Sequence, residues 1–233
     1  MKKILLSLLL CMALLLTLCS CAKEKYELLY EVNLDGITYC VRGSGTRAKQ
    51  IVVKNGDTVT WHKKVKVSKK IGSQTGTYGF FAEDLNFDGY RDLRIATDVS
   101  GDCVSYICFL YNPATQKYVS YEDLNKLYNV QPNAELKAVF GFDHLYETEP
   151  AYNDVPEQKT SKDITTKYVW ENGKLTPQMR VSLTHYSIGD RYLYTIAYYD
   201  SETNSFFEDY MNEIWMTADE YRNMDLHTLY YFK

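Results

Sequence analysis

The sequence predicts an all-β protein made of antiparallel hairpins, arranged as a meander or as propeller-like sheets, with one or two short helices. Short runs rich in Val, Ile, Thr and Tyr alternate with turn residues along most of the chain, and 22 tyrosines suit pleated sheet surfaces. Asp35-Gly36 separates two such runs, which is typical of a two-residue hairpin. Helix signals are few, so sheets are expected to form the core.

The predicted strands follow one another along the chain. They cover 26–34, 37–42, 50–54, 57–67, 76–82, 92–98, 103–111, 117–120, 136–142, 164–170, 174–186, 191–200, 205–215 and 227–232. Strand-turn-strand units recur at irregular spacing, for example at 111–118, 170–175 and 199–206. This irregularity favours a meander or propeller-like array over a barrel with a strict period.

Helices are expected at two places and a long loop at one. Residues 121–129 fit two helical turns with Ser120 as the cap, and Thr217-Ala218-Asp219-Glu220 is a capping box for a second short helix. The polar, Pro-containing stretch 150–163 is predicted to be a long loop.

The first twenty residues read as a secretory leader. Lys2 and Lys3 precede an apolar run, 4–16, that is too short to span a membrane. The run leads to Leu18-Cys19-Ser20-Cys21, which resembles the lipobox of bacterial lipoproteins. Cys21 would then carry the lipid and 21–25 would be a tether, so the protein is expected outside the cytoplasm, lipid-anchored to a bacterial membrane. The alternative is ordinary signal cleavage with Cys21 in a disulfide.

Residues 26–233 are expected to form a single β-rich domain. Loss of Lys2 and Lys3 leaves 24 basic against 30 acidic residues, a formal net charge of −6, which gives no indication of nucleic-acid binding. The one basic run, 62–70, alternates as the solvent face of an edge strand does; contact with anionic lipid or cell wall is the other interpretation.

Cysteines give no clear disulfide pattern. Beyond Cys21 the mature chain has Cys40, Cys103 and Cys108. Cys103 and Cys108 are five positions apart in a predicted strand, which places them on opposite faces and too far apart to bond, so a bridge would join Cys40 to one of them. Without a metal-ligand spacing, small buried residues are the default interpretation.

The most specific motif is the nine-residue stretch 84–92, Asp-Leu-Asn-Phe-Asp-Gly-Tyr-Arg-Asp. Oxygen-bearing side chains occupy positions 1, 3, 5 and 9, and Gly89 at position 6 permits the sharp turn of a calcium loop. Ile95 replaces the bidentate glutamate of a full EF-hand, so the loop would be shorter. The alternative is a solvated Asp-Gly hairpin turn. The predicted calcium ligands are the side chains of Asp84, Asn86, Asp88 and Asp92 and the backbone carbonyl of Tyr90.

The lipobox, this single loop and the strand-turn-strand units together resemble a family of small secreted bacterial lipoproteins with one calcium loop. Some of its members are periplasmic inhibitors of lysozyme-like hydrolases that act as immunity proteins. The resemblance implies a propeller-like all-β fold over about 75–230 and carries over only the five calcium ligands; no inhibitory loop matches residue by residue.

The sequence predicts a binding protein rather than an enzyme. Its four histidines include no helix-spaced pair, and it has no Gly-x-Ser-x-Gly elbow. The function expected is that of a calcium-stabilised binding domain with a protein or cell-wall partner, such as a lysozyme-like hydrolase that it inhibits. The alternatives are a cell-wall or surface-polymer hydrolase and a purely structural envelope protein.

Overall fold

The computed structural model describes residues 26–68, 71, 77–149, 156–208 and 213–223. The predicted leader, Cys21, the tether and the strand expected at 227–232 lie outside the described residues. The chain divides into two compact units, 1–65 and 66–233. Because compactness does not test whether a unit folds alone, the single domain over 26–233 stays a prediction.

The first unit contains a four-stranded antiparallel sheet in chain order. Its strands are β1 (Glu27–Leu34), β2 (Ile37–Ser44), β3 (Arg47–Asn55) and β4 (Thr58–Lys64). Asp35 and Gly36 have φ values of 53° and 83°, as a hairpin with two left-handed residues requires, so the predicted turn is confirmed. The start of the basic run lies on β4, an exposed edge strand that ends at Lys64 rather than 67.

The second unit contains one long antiparallel meander. Its strands are β5 (Phe80–Glu83), β6 (Asp92–Ser100), β7 (Cys103–Asn112), β8 (Lys117–Ser120), β9 (Tyr128–Asn133), β10 (Ala138–Glu149), β11 (Gln158–Glu171), β12 (Lys174–Tyr186), β13 (Arg191–Asp200), β14 (Ser205–Glu208) and β15 (Ile214–Thr217). From β5 to β14, successive strands pair in chain order, except that β8 pairs with β7 beside the main path and β15 with β13. The all-β prediction is confirmed, and the arrangement is the meander.

Two short helices lie among the described residues, α1 (Glu122–Asn125) and α2 (Ala218–Asn223). The capping box before α2 is confirmed: the Thr217 backbone N–H donates to Glu220 Oε2 (2.7 Å), and the Glu220 N–H donates to Thr217 Oγ1 (3.3 Å). The prediction for α1 was wrong in its cap and its length. Tyr121, which makes no side-chain cap bond, precedes the helix, and Ser120 Oγ accepts from Asn125 Nδ2 (3.0 Å).

The expected helix 121–129 stops early because two asparagines bind the neighbouring strand. Asn125 Oδ1 accepts the Cys108 N–H (2.7 Å), and Asn129 Oδ1 accepts the Val104 N–H (2.8 Å). Asn129 has a φ of 48° and is the second residue of β9, a strand the sequence did not predict. Tertiary contacts therefore override the local helical pattern.

The predicted loop 150–163 was wrong over its second part. β11 begins at Gln158, which pairs with Glu149, so the connection is limited to 150–157. The strand predicted over 205–215 is two separate strands, β14 and β15, which pair with different halves of β13.

The three described cysteines are buried and free, so none forms a disulfide. Burial raises the pKa of Cys40 to about 11 and that of Cys108 to about 12. Both thiols are therefore protonated at neutral pH, and all three cysteines are small buried residues, as the default interpretation predicted. Cys108 belongs to the main core cluster of the second unit with Leu85, Leu124, Val130 and Val139.

Candidate metal centre

The candidate calcium loop connects β5 to β6. Phe87 and Gly89 have φ values of 59° and 90°, and these two left-handed residues curl the chain back on itself. A Cβ on Gly89 would meet no atom within 4 Å, so its φ angle, not lack of space, favours glycine there. The curl turns the oxygen-bearing side chains of the loop towards its own backbone.

The structure brings Asp84, Asn86 and Asp88 together. Asp84 Oδ1 accepts the Asp88 N–H (3.2 Å) and Asp84 Oδ2 accepts the Gly89 N–H (2.8 Å). Asn86 Nδ2 donates to Asp88 Oδ2 (2.9 Å), and Asp88 Oδ1 accepts the Tyr90 N–H (2.9 Å). Three of the predicted ligands therefore share one hydrogen-bonded turn.

Asp92, the predicted closing ligand, is completely buried. Its Oδ2 accepts the Leu85 N–H (2.8 Å) and its Oδ1 accepts the Tyr111 N–H (2.7 Å), which links the loop to β7. Burial, together with the charges of Asp88 and Asp84, raises the pKa of Asp92 to about 7 against the lowering effect of the two N–H groups. Asp92 is thus electrostatically part of the same acidic cluster.

Tyr90 supplies a backbone oxygen in the prediction, and its ring begins an aromatic row. Tyr90 is 47% exposed, and the centre of its ring lies 5.6 Å from that of Tyr111, whose ring centre lies 5.0 Å from that of Tyr118. The row places a partly exposed aromatic surface next to the loop.

The loop is fixed by core packing and by hydrogen bonds from residues that the sequence analysis did not assign to the site. Leu85 is fully buried in the core cluster, and its carbonyl accepts a hydrogen bond from Trp170 Nε1 (2.8 Å). Tyr121 packs on Trp170 with 4.9 Å between ring centres, and its hydroxyl accepts the Leu175 N–H (3.2 Å). Trp170 and Leu175 flank a predicted hairpin, but nothing in the sequence pairs that hairpin with a loop 85 residues away.

The donor set suits a hard cation. Carboxylates, an amide and a carbonyl are the oxygen ligands that calcium prefers. Within the described ranges, no three His, Cys, Asp or Glu side chains are already disposed as a metal site, and the loop carboxylates accept backbone N–H groups instead. Each carboxylate oxygen has a second lone pair, so these bonds leave acceptor capacity for an ion.

Other candidate chemistry lies apart from this loop. His144 Nδ1 pairs with Asp163 across β10 and β11, and His185 Nε2 lies 2.8 Å from Asp190 Oδ1. Burial and the charges of Asp143 and Asp163 raise the pKa of Cys103, which is the opposite of nucleophile activation.

Among the described helices, none combines the length and apolar character needed to cross a membrane.

Replacing Trp170 with Phe tests the bracing of the loop. The variant removes the donor to the Leu85 carbonyl, and an unpaired buried acceptor costs about 1–3 kcal/mol. Urea denaturation should show this loss in the free energy of unfolding. Trp215→Phe is the matched control, because Trp215 is 46% exposed and its loss should cost less than about 1 kcal/mol. Equal stability of the two variants would contradict the bracing role.

Comparisons with known proteins leave the family open. No protein-family model matches the chain, and no curated protein matches it. The chain is similar to a solved structure described as "Structure of a Xanthomonas Type IV Secretion System related protein", with 13% identity and a TM-score of 0.39. The similarity covers 79% of this chain and 87% of that one.

Proposed function

We propose that this chain is an extracytoplasmic, lipid-anchored binding protein that performs no chemistry and is braced by a calcium ion in the loop 84–92. The observation that carries the proposal is this loop, in which the predicted ligands Asp84, Asn86 and Asp88 share one turn and Asp92 belongs to the same electrostatic cluster. Side chains of Asp84, Asn86, Asp88 and Asp92 and the carbonyl of Tyr90 would hold the ion.

The bound ion would supply the positive charge that offsets the repulsion between these carboxylates. The chain's own contribution is to place them: Phe87 and Gly89 turn the loop, and Leu85 is fixed by the core and by Trp170. An ordered loop loses little conformational entropy when a partner binds. The calcium site therefore supports a binding surface more naturally than it supports catalysis.

The contact surface would include the aromatic row beside the loop. Tyr90, Tyr111 and Tyr118 offer rigid, amphipathic area, as binding interfaces favour. If the family resemblance extends to function, the partner is a lysozyme-like cell-wall hydrolase and the domain inhibits it by occupying its surface or cleft.

Calcium should stabilise the folded protein. With a dissociation constant of roughly 10⁻⁵ M, millimolar calcium adds about 2.7 kcal/mol by linkage. Differential scanning calorimetry of residues 22–233 should show Tm rising by several degrees, an increase that Asp88→Ala abolishes. Asp88→Asn keeps an acceptor for the Tyr90 N–H and should also lose most of the increase, because the ligand charge is gone.

The control is Asp102→Ala, an exposed acid in the β6–β7 turn outside the loop, which should retain the full calcium effect. An unchanged Tm in millimolar calcium for the unmodified chain would rule out the site.

Lipidation at Cys21 is expected to anchor the protein. Cys21→Ser should release it into the soluble fraction or leave it unprocessed, because serine cannot accept the thioether-linked lipid. Metabolic labelling with a fatty acid, followed by membrane fractionation, measures both effects. Continued acylation and membrane retention of the variant would reject the assignment.

The binding role is tested with a cell-wall suspension and a lysozyme-like hydrolase. The purified domain should slow the loss of turbidity, and chelation of calcium should weaken the effect. Tyr90→Ala should weaken it as well, whereas Val119→Ala, another exposed position, serves as the control. Lysis by the domain alone would identify an enzyme instead, and no effect across a panel of hydrolases would remove the inhibitor assignment.

A further inference from the structure

A groove of about 260 Å³ lies on the meander of the second unit, away from the loop carboxylates. Gly141, Thr166 and Arg180 form one row across β10, β11 and β12, because Gly141 pairs with Thr166 and Thr166 pairs with Arg180. All three line the groove. A Cβ on Gly141 would lie 3.3 Å from Leu127 Cβ and 3.4 Å from Tyr168 Cε2, so glycine there keeps the space open.

Arg180 brings a positive charge to this groove. Its Nε is buried, and no hydrogen-bond partner for it is present in the part of the chain that the structure describes. The guanidinium carbon lies 4.0 Å from the centre of the Phe206 ring, which holds the group in place. Arg180 as a whole is only partly buried and lines the groove, so its charge favours an anionic group there.

Tyr168 and Thr166 provide neutral polar groups next to Arg180. Burial raises the pKa of Tyr168 against a lowering contribution from the Thr166 side chain, so the Tyr168 hydroxyl stays protonated at neutral pH. The charge of Arg180 acts against this shift, and both side chains line the groove. Tyr168 can therefore donate a hydrogen bond to the same anion.

The remaining walls limit which anion fits. Asp143 also lines the groove and acts on Tyr168 electrostatically, so a doubly charged phosphate would be repelled more strongly than a single carboxylate. Lys126 cannot offset this fully, because its ammonium group already pairs with Asp123 at 2.8 Å. Leu127, Leu145 and Ile164 supply apolar surface. The volume lies just below that of sites for drug-sized ligands.

We propose that this groove binds a small organic monocarboxylate with a short apolar body. The carboxylate contacts the Arg180 guanidinium and the Tyr168 hydroxyl, and the apolar body packs on Leu127, Leu145 and Ile164. The same chemistry is offered by a free short-chain acid and by the C-terminal carboxylate of a peptide with an apolar last residue. This site is independent of the calcium loop and of its proposed role.

The test uses the mature chain with Cys21→Ser and two matched probes, isovalerate and its neutral amide isovaleramide. NMR titration that follows the Arg180 Nε–H signal should show saturable binding of isovalerate in the millimolar range. Isovaleramide should bind at least about tenfold more weakly, since charge-assisted hydrogen bonds are the stronger ones. Acetyl-Val-Leu with a free C-terminus identifies a peptide source if it binds more tightly than isovalerate, and a free acid if it does not.

Variants separate binding from folding. Arg180→Gln should weaken isovalerate binding about tenfold or more, and for all variants the affinity is measured on the NMR signals of isovalerate itself, because this variant has no Arg180 Nε–H. Tyr168→Phe keeps the ring and the fold while removing one donor, so it should weaken binding by a smaller factor. Arg191→Gln removes a guanidinium that packs on Trp215 and should leave binding unchanged. Absence of saturable binding, equal affinity for the amide, or full affinity in both the Arg180 and Tyr168 variants with intact near-UV circular dichroism would overturn the proposal.

Discussion

The second unit depends on one buried carboxylate. Asp92 is the first residue of β6, is completely buried, and binds the N–H groups of Leu85 and Tyr111 with its two oxygens. One side chain therefore ties the start of β6 to the loop before it and to the end of β7. Replacement by an apolar residue would leave the buried Leu85 N–H and the partly buried Tyr111 N–H without this acceptor, which is among the costlier changes in a protein interior.

Leu85 connects the Asp92 hydrogen bond to the hydrophobic core. Its N–H is bound by Asp92, its carbonyl by Trp170, and its side chain lies in the core cluster with Cys108 and Leu124. The loop is consequently fixed at three points before any ion is considered. Leu85 thus couples the buried carboxylate of Asp92 to the packing of Trp170 and the core, although Leu85 itself carries no charge.

The sequence predicted what local patterns specify and missed what distant contacts decide. Asp35-Gly36 and the Thr217–Glu220 capping box appear as expected, because turn and cap chemistry depends only on neighbours in the chain. β9 was missed because it depends on the hydrogen bond from the Val104 N–H of β7 to Asn129 Oδ1, and no local pattern shows this partner. The same holds for Trp170, whose bond to the Leu85 carbonyl joins two distant hairpins.

The electrostatics of Asp92 also explain why a cation would matter for this fold. Its pKa is about 7 in the folded chain and 3.8 ordinarily, so between these values the folded state binds a proton that the unfolded state has released. Without a cation, the free energy of unfolding should therefore fall as the pH rises from about 4 to about 7, and then level off. A calcium ion held by the loop would favour the charged form and lower this pKa. The penalty at neutral pH would then be removed where extracellular calcium is abundant, and strand pairing between β6 and β7 would be coupled to the ion.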